Sequence, residues 1–309
     1  MSGHDHSHGS HSHSHGVSED ADRSKLAIAL GLILAFMAVE VAVGIAVSSL
    51  ALLSDAAHML TDAAALGLAI VALALAKRPA KGVYTFGLKR TEILSAQFNG
   101  ATLLVLGVLI MVEGIRRLIN PPDVPGLPVL IVALVGIVVN LAATWTLSKA
   151  NRQSLNVEGA FQHLVTDLAA FIATAIAGVV ILTTGFTRAD GIAALFVAAI
   201  MLRAAYGLLR DSGRIFLEAA PKGMDPDEIG EALAASPGVV QIHDLHIWEV
   251  TSGFPSLAAH VLVGEEVDCH AVRQELEHLL HERFALDHTT LQVDHAHDSL
   301  LQVENASIR

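Results

Sequence analysis

Residues 52–66 read LLSDAAHMLTDAAAL, an apolar run interrupted by Ser54, Asp55, His58, Thr61 and Asp62. At helical periodicity His58 and Asp62 share one face. Residues 158–171, EGAFQHLVTDLAAF, repeat the pattern with His163, Thr166 and Asp167. Two imidazoles and two carboxylates from two helices make four ligands around one divalent ion, a tetrahedral set of the kind zinc accepts. A single His-x-x-x-Asp reads as a hydrogen-bonded structural pair, but the duplication changes the balance. An ionisable residue inside a membrane span costs about 2.5–3.5 kcal/mol on insertion scales, so two aspartates there need a compensating partner or a function.

Working outward, the whole chain is apolar enough for that setting. Of its 309 residues 53% are hydrophobic and the mean hydropathy is +0.54, too high for an ordinary soluble domain of this length. The formal charge of -12 is unevenly spread: residues 218–309 hold 4 Lys/Arg against 17 Asp/Glu, whereas residues 1–217 are nearly balanced, with 15 against 14. The acidity belongs to a C-terminal soluble part and argues against nucleic acid as a partner. Cys269 is the only cysteine, which excludes an intrachain disulfide and zinc motifs built on paired thiolates.

Six apolar segments, at about 26–47, 50–76, 92–118, 127–149, 156–184 and 190–216, are each long enough to cross a hydrocarbon core of roughly 30 Å. Pro79, the cluster Pro121, Pro122, Pro125 and Pro128, and Gly185 punctuate their connections. Arg23 and Lys25, then Lys77, Arg78, Lys81, Lys89 and Arg90, then Lys149 and Arg152 fall on one side, against Arg116, Arg117 and Arg188 on the other. The positive-inside rule therefore puts both termini in the cytoplasm. The stretch before the first segment mixes acids with bases and reads as the flank of a retained span, not as a secretory signal. Glu40, Asp55, Asn99, Glu113 and Asn140 also lie within the spans, where they either line a wet pathway or hydrogen-bond between helices.

The ends differ in kind from the middle. Residues 1–16, MSGHDHSHGSHSHSHG, place His4, His6, His8, His11, His13 and His15 among Ser, Gly and Asp, with nothing apolar after Met1. That composition predicts a disordered tail over residues 1–22 that attracts metal weakly. After a membrane domain over residues 23–217, residues 218–309 read as a small soluble domain in the order α-β-β-α-β: a capped helix ending at Pro237-Gly238, two β-rich runs, the amphipathic DCHAVRQELEHLLHERF and a last strand. Such an order suggests an open-faced sandwich with helices on one side of a small sheet.

Four stretches carry a resemblance: ALLSDAAHMLTD (51–62), FGLKRTEILSAQFNG (86–100), LNVEGAFQHLVTD (155–167) and VVQIHDLHIWEV (239–250). From Lys25 onward the chain closely resembles the cation diffusion facilitator family, specifically its bacterial zinc-exporting branch. The resemblance implies an α-helical membrane protein of six transmembrane helices with a cytoplasmic ferredoxin-like (metallochaperone-like) α+β domain. It also implies a homodimer in a bacterial inner membrane that exports divalent cations in exchange for protons. Family transport ligands fall on His58, Asp62, His163 and Asp167, a combination similar to members that prefer Zn2+ and often tolerate Cd2+ or Co2+. Regulatory zinc ligands would fall on His243, His260, His270 and Asp294, with His288 or His297 as further candidates, and Arg90 would pair with Glu218. Two features of relatives are missing: the loop AKRPAKGVYTFGLKR has no Asp or His for a second ion, and SKANRQSLNVEGA has no histidine-rich insertion.

Ligand chemistry points the same way independently, because imidazole nitrogen suits zinc whereas manganese and magnesium favour oxygen shells. Zinc requires neutral imidazole and ionised carboxylate, so protonation ejects it, and a proton gradient can drive the cycle. With no Walker A motif, the chain has no nucleotide partner and is not an ATP-driven pump. An intramembrane zinc hydrolase would need His-Glu-x-x-His and an open coordination position, and neither helix supplies them. A membrane metal sensor without transport and a passive divalent-cation channel are the remaining alternatives to an antiporter.

Overall fold

The computed structural model describes residues 16–46, 50–121 and 126–296; side chains of residues 16–21, 44, 50–58 and 126–129 lie outside the description. Six long helices come first: α1 (Gly16–Ala46), α2 (Leu50–Ala76), α3 (Thr91–Ile119), α4 (Gly126–Ser148), α5 (Leu155–Thr184) and α6 (Ala189–Phe216). All six are long and apolar enough to cross a membrane. Their ends follow local chemistry. Ser154 caps α5 by accepting the Val157 N–H, and Gly185 ends it with φ 71°, a left-handed conformation that glycine adopts without a Cβ clash.

Helix α1 starts well before the expected span and takes in residues 16–22, which composition assigns to the disordered tail. Two tertiary contacts hold its charged part. Asp22, 4% exposed, accepts the backbone N–H of Asn151 at 2.9 Å, and Lys25 donates to the Lys149 carbonyl. Together they fasten the charged start of α1 to the α4–α5 connection. Between α2 and α3, Lys81 and Tyr84 exchange both backbone hydrogen bonds at 3.2 Å and close a tight loop.

The chain separates into two compact units, residues 1–209 and 210–309. In the first, α1, α2, α4 and α5 share a core in which Ile33, Phe36, Leu66, Leu147 and Leu164 are buried. Helix α3 packs on α6 through reversed heptads. Ideal Cβ atoms at Gly100, Gly107 and Gly114 would lie 3.0–3.1 Å from the side chains of Leu209, Leu202 and Leu195, so the two backbones approach as closely as small residues permit. At Gly136 of α4 the fit is tighter, since a Cβ would stand 2.5 Å from the Phe171 ring of α5. Gly136→Ala should overpack that contact at a cost of about 1–3 kcal/mol. Thermal unfolding of purified protein in detergent should show a fall of several degrees, and an unchanged transition would mean that the ring swings aside freely.

The second unit contains α7 (Pro226–Ala234), β1 (Val239–Glu249), β2 (Pro255–Val263), α8 (Cys269–Phe284) and β3 (His288–His295). The sheet order is β1-β2-β3, antiparallel then parallel, with α8 as the crossover. Asp225 and Asp268 cap the two helices. Ile229 and Leu233 of α7 and Val272, Leu276 and Leu280 of α8 pack on Leu257, Ala259, Val261 and Val263 of β2. Both helices therefore cover one sheet face. His260, at an alternate position, belongs to the other.

Candidate metal centre

Helices α2 and α5 run antiparallel. Asn156 Nδ2 donates to the Ala69 carbonyl at 2.8 Å, and one helical heptad away on each strand of the pair Asp62 meets His163. His163 Nε2 lies 2.7 Å from Asp62 Oδ1 and 3.9 Å from Asp167 Oδ2. One ligand atom from each of these three residues falls within 4.8 Å of the others, and all three side chains are buried. Two carboxylates in such a place cost several kcal/mol each in lost hydration unless positive charge compensates them. A divalent cation or bound protons would provide it. His58 stands one turn before Asp62 on α2, but its side chain lies outside the described residues. At its second copy the repeated threonine, Thr166, is buried and donates to the Gln162 carbonyl of its own helix at 2.8 Å.

The other polar residues of the spans divide. Glu113 is held by Arg117 at 3.1 Å, and Arg117 also grips Asp190 at 2.6 Å, so this group is an ion-pair network tying the end of α3 to the start of α6. Asn140 donates to the Gly136 carbonyl of its own helix. Asn99 is 0% exposed, and neither end of its amide has a hydrogen-bond partner among the described residues. An unpaired buried polar group costs about 1–3 kcal/mol.

A second cluster lies in the C-terminal unit. His243 and His260 are paired across β1 and β2, with ring centroids 5.1 Å apart. Asp244 Oδ2 is 3.1 Å from His243 Nδ1 and 3.8 Å from His260 Nδ1. Regular alternation would send Asp244 to the opposite face from His243. A register shift between His243 and His246, with Asp244 at φ 51°, turns its carboxylate back towards them. Aspartate tolerates that left-handed conformation better than most residues.

The cation efflux transmembrane domain matches residues 26–217, and the cytoplasmic domain of cation efflux proteins matches residues 221–296. The chain belongs to the cation efflux family. A cadmium, cobalt and zinc/H(+)-K(+) antiporter of Bacillus subtilis is 36% identical over 266 residues, covering 84% of this chain and 85% of its own. The metal cation efflux system protein CzcD of Cupriavidus metallidurans is 38% identical over 252 residues, covering 81% and 80%. Zinc transporter ZitB of Escherichia coli is 36% identical over 254 residues, covering 82% and 81%. As a cation efflux protein this chain is a multi-pass membrane transporter of metal ions, and its residues divide into those gathered at a centre and those that are not.

Asp62, His163 and Asp167 meet in the membrane unit, and His243 and His260 meet in the other with Asp244, which the sequence reading passed over. His270 is exposed near the start of α8, where its N–H donates to Asp268. His288 pairs with Ser256 and tilts against Phe254, four strand residues, or about 13 Å, from the level of His260. Asp294 lies opposite Leu262 and accepts from Gln292. His297 and the tail histidines lie outside the described residues. Arg90 precedes α3 in one unit, and Glu218 follows α6 in the other with φ 55°. Glu92, Ser95 and Asn156 were not singled out by sequence either, although a polar residue each turn along an apolar helix was a signal available to be read.

Proposed function

We propose that this cation efflux protein exports Zn2+, with Cd2+ and Co2+ as further substrates, from the cytoplasm in exchange for protons. It would do so as a homodimer in a bacterial plasma membrane, with the tail (1–22), the ends of the membrane domain (23–217) and the soluble domain (218–309) on the cytoplasmic side. One observation carries the reading: Asp62, His163 and Asp167, from two different spans, converge in a buried cluster. His58 completes a His2Asp2 shell. Imidazole nitrogen favours zinc over magnesium and manganese, and zinc is named among the substrates of the Bacillus subtilis and Escherichia coli relatives.

Coupling follows from competition for the same atoms. Ligands bind metal only when the imidazoles are neutral and the carboxylates ionised, so metal loading expels protons and protonation expels metal. A carboxylate cluster deep in the membrane serves this exchange; a sensor acting only through the soluble domain would not need it. In the soluble domain, His243, Asp244 and His260 form the nucleus of a regulatory zinc site, with His270, Asp294, His288 and His297 as further ligands within or between protomers. Neutralising carboxylates where acids outnumber bases 17 to 4 would favour close approach of two copies.

The test is flux of a panel of divalent ions into proteoliposomes, with luminal pH recorded. Zinc, cadmium and cobalt should enter, magnesium and manganese should not, and each entry should alkalinise the lumen. Equal rates for magnesium and zinc would remove the basis for selectivity.

A further inference from the structure

Ser95, Asn99 and Asn156 are 3%, 0% and 0% exposed. Ser95 Oγ, both amide atoms of Asn99 and Oδ1 of Asn156 have no hydrogen-bond partner among the described residues. Their positions form a ladder. Thr91 Oγ1 donates to the Ala72 carbonyl and Asn156 Nδ2 to that of Ala69, so the starts of α3 and α5 flank the last turns of α2. Ser154 Oγ donates to Glu92 Oε1 at 2.7 Å across the mouth between the two helix starts. From Glu92, α3 rises about one turn to Ser95 and another to Asn99. From Asn156, α5 rises to Gly159, where an added Cβ would lie 3.7 Å from Asn99 Nδ2, and one more turn reaches His163. The seam runs from the helix ends at 76, 91 and 155 to the first ligands of the metal centre.

Helix packing alone accounts poorly for this seam, because an apolar residue of the same size would leave nothing unpaired. Groups that lack partners when the helices are closed gain them when the helices part and water enters. Neutral amide and hydroxyl oxygens also hold a divalent ion weakly, as a route to a tighter site requires. We propose that the α2–α3–α5 seam is the closed form of the access route from the α2–α3 loop side to the metal centre. In the open form Ser95, Asn99 and Asn156 line a hydrated passage that delivers the ion to His163 and Asp62. This rests on the transport reading above and assigns its lining residues.

Cysteine at position 99, in a Cys269→Ser background, tests the seam directly. A membrane-impermeant charged thiol reagent should label Asn99→Cys from the side that also labels Lys81→Cys in the α2–α3 loop, more slowly than Lys81→Cys, and not from the opposite side. Asn99→Leu should retain its thermal stability and its zinc binding while zinc flux falls about tenfold, because the closed form is favoured. Labelling from neither side, or only from the opposite side, would overturn the proposal, and so would Asn99→Leu moving zinc at the wild-type rate. If Asn99→Leu does not fold, the labelling arm decides. A protein that moves zinc without exchanging protons would fail the antiport reading and leave the labelling result to judge the seam by itself.

Discussion

Asp62→Ala and Asp167→Ala should each reduce zinc flux into proteoliposomes by at least about 100-fold, the loss expected when a charged ligand leaves a closed metal shell. Among the described residues these two carboxylates share a buried space with the His163 imidazole, the ring lying 2.7 Å from Asp62 and 3.9 Å from Asp167. Removing Asp167 leaves the 2.7 Å Asp62–His163 contact in place, so stability without metal should hold in Asp167→Ala, whereas Asp62→Ala takes the close partner of a buried imidazole and should cost about 1–3 kcal/mol. In Asp167→Ala the transport loss would then not come from unfolding. What should disappear is the stabilisation conferred by the ion, which for a wild-type site at 100 times its Kd amounts to about 2.7 kcal/mol. Thermal unfolding with and without zinc reads this directly. Wild-type flux in either variant would remove that residue from the transport site.

A transmembrane pH difference should set the direction and rate of zinc movement. With potassium equal on both sides and the potential clamped, an acidic lumen should accelerate zinc uptake, because ligands facing the alkaline exterior are deprotonated and bind, while those facing the lumen are protonated and release. Reversing the gradient should slow uptake and promote efflux of zinc already loaded. Each unit of pH corresponds to about 1.36 kcal/mol per proton exchanged, a tenfold change in the accumulation ratio at equilibrium for every proton in the cycle. The slope of that ratio against the pH difference counts the protons. Flux indifferent to the gradient would describe a passive channel lined by the same residues.

The spans and the soluble domain were legible because both rest on short-range patterns. Apolar length predicts membrane helices almost irrespective of context, and Leu50–Ala76 and Leu155–Thr184 nearly coincide with the expected segments. The order α-β-β-α-β was readable from periodicity and from caps such as Asp225 and Asp268. Within the centre, Asp62, His163 and Asp167 stood out because ionisable groups in apolar runs are costly. The start of α1 was not legible: residues 16–22 are mostly polar, and the contacts from Asp22 and Lys25 that fasten this end reach Asn151 and Lys149 far along the chain.

By itself, then, the order of residues determined most of the helical and strand segments, the start of α1 apart, and that two His-x-x-x-Asp turns occupy equivalent places in two apolar runs. Periodicity and hydrophobic length are properties of neighbouring residues and do not wait for the fold. Only tertiary structure decided that Asp244 turns towards His243 and His260, since a strand bulge reverses the side that alternation would assign. It likewise decided that Gly100, Gly107 and Gly114 meet leucines of α6, and that Ser95, Asn99 and Asn156 are buried in one seam without a full set of partners. Whether a polar side chain is satisfied depends on what another helix brings opposite it. Helix spacing alone carries no information about that.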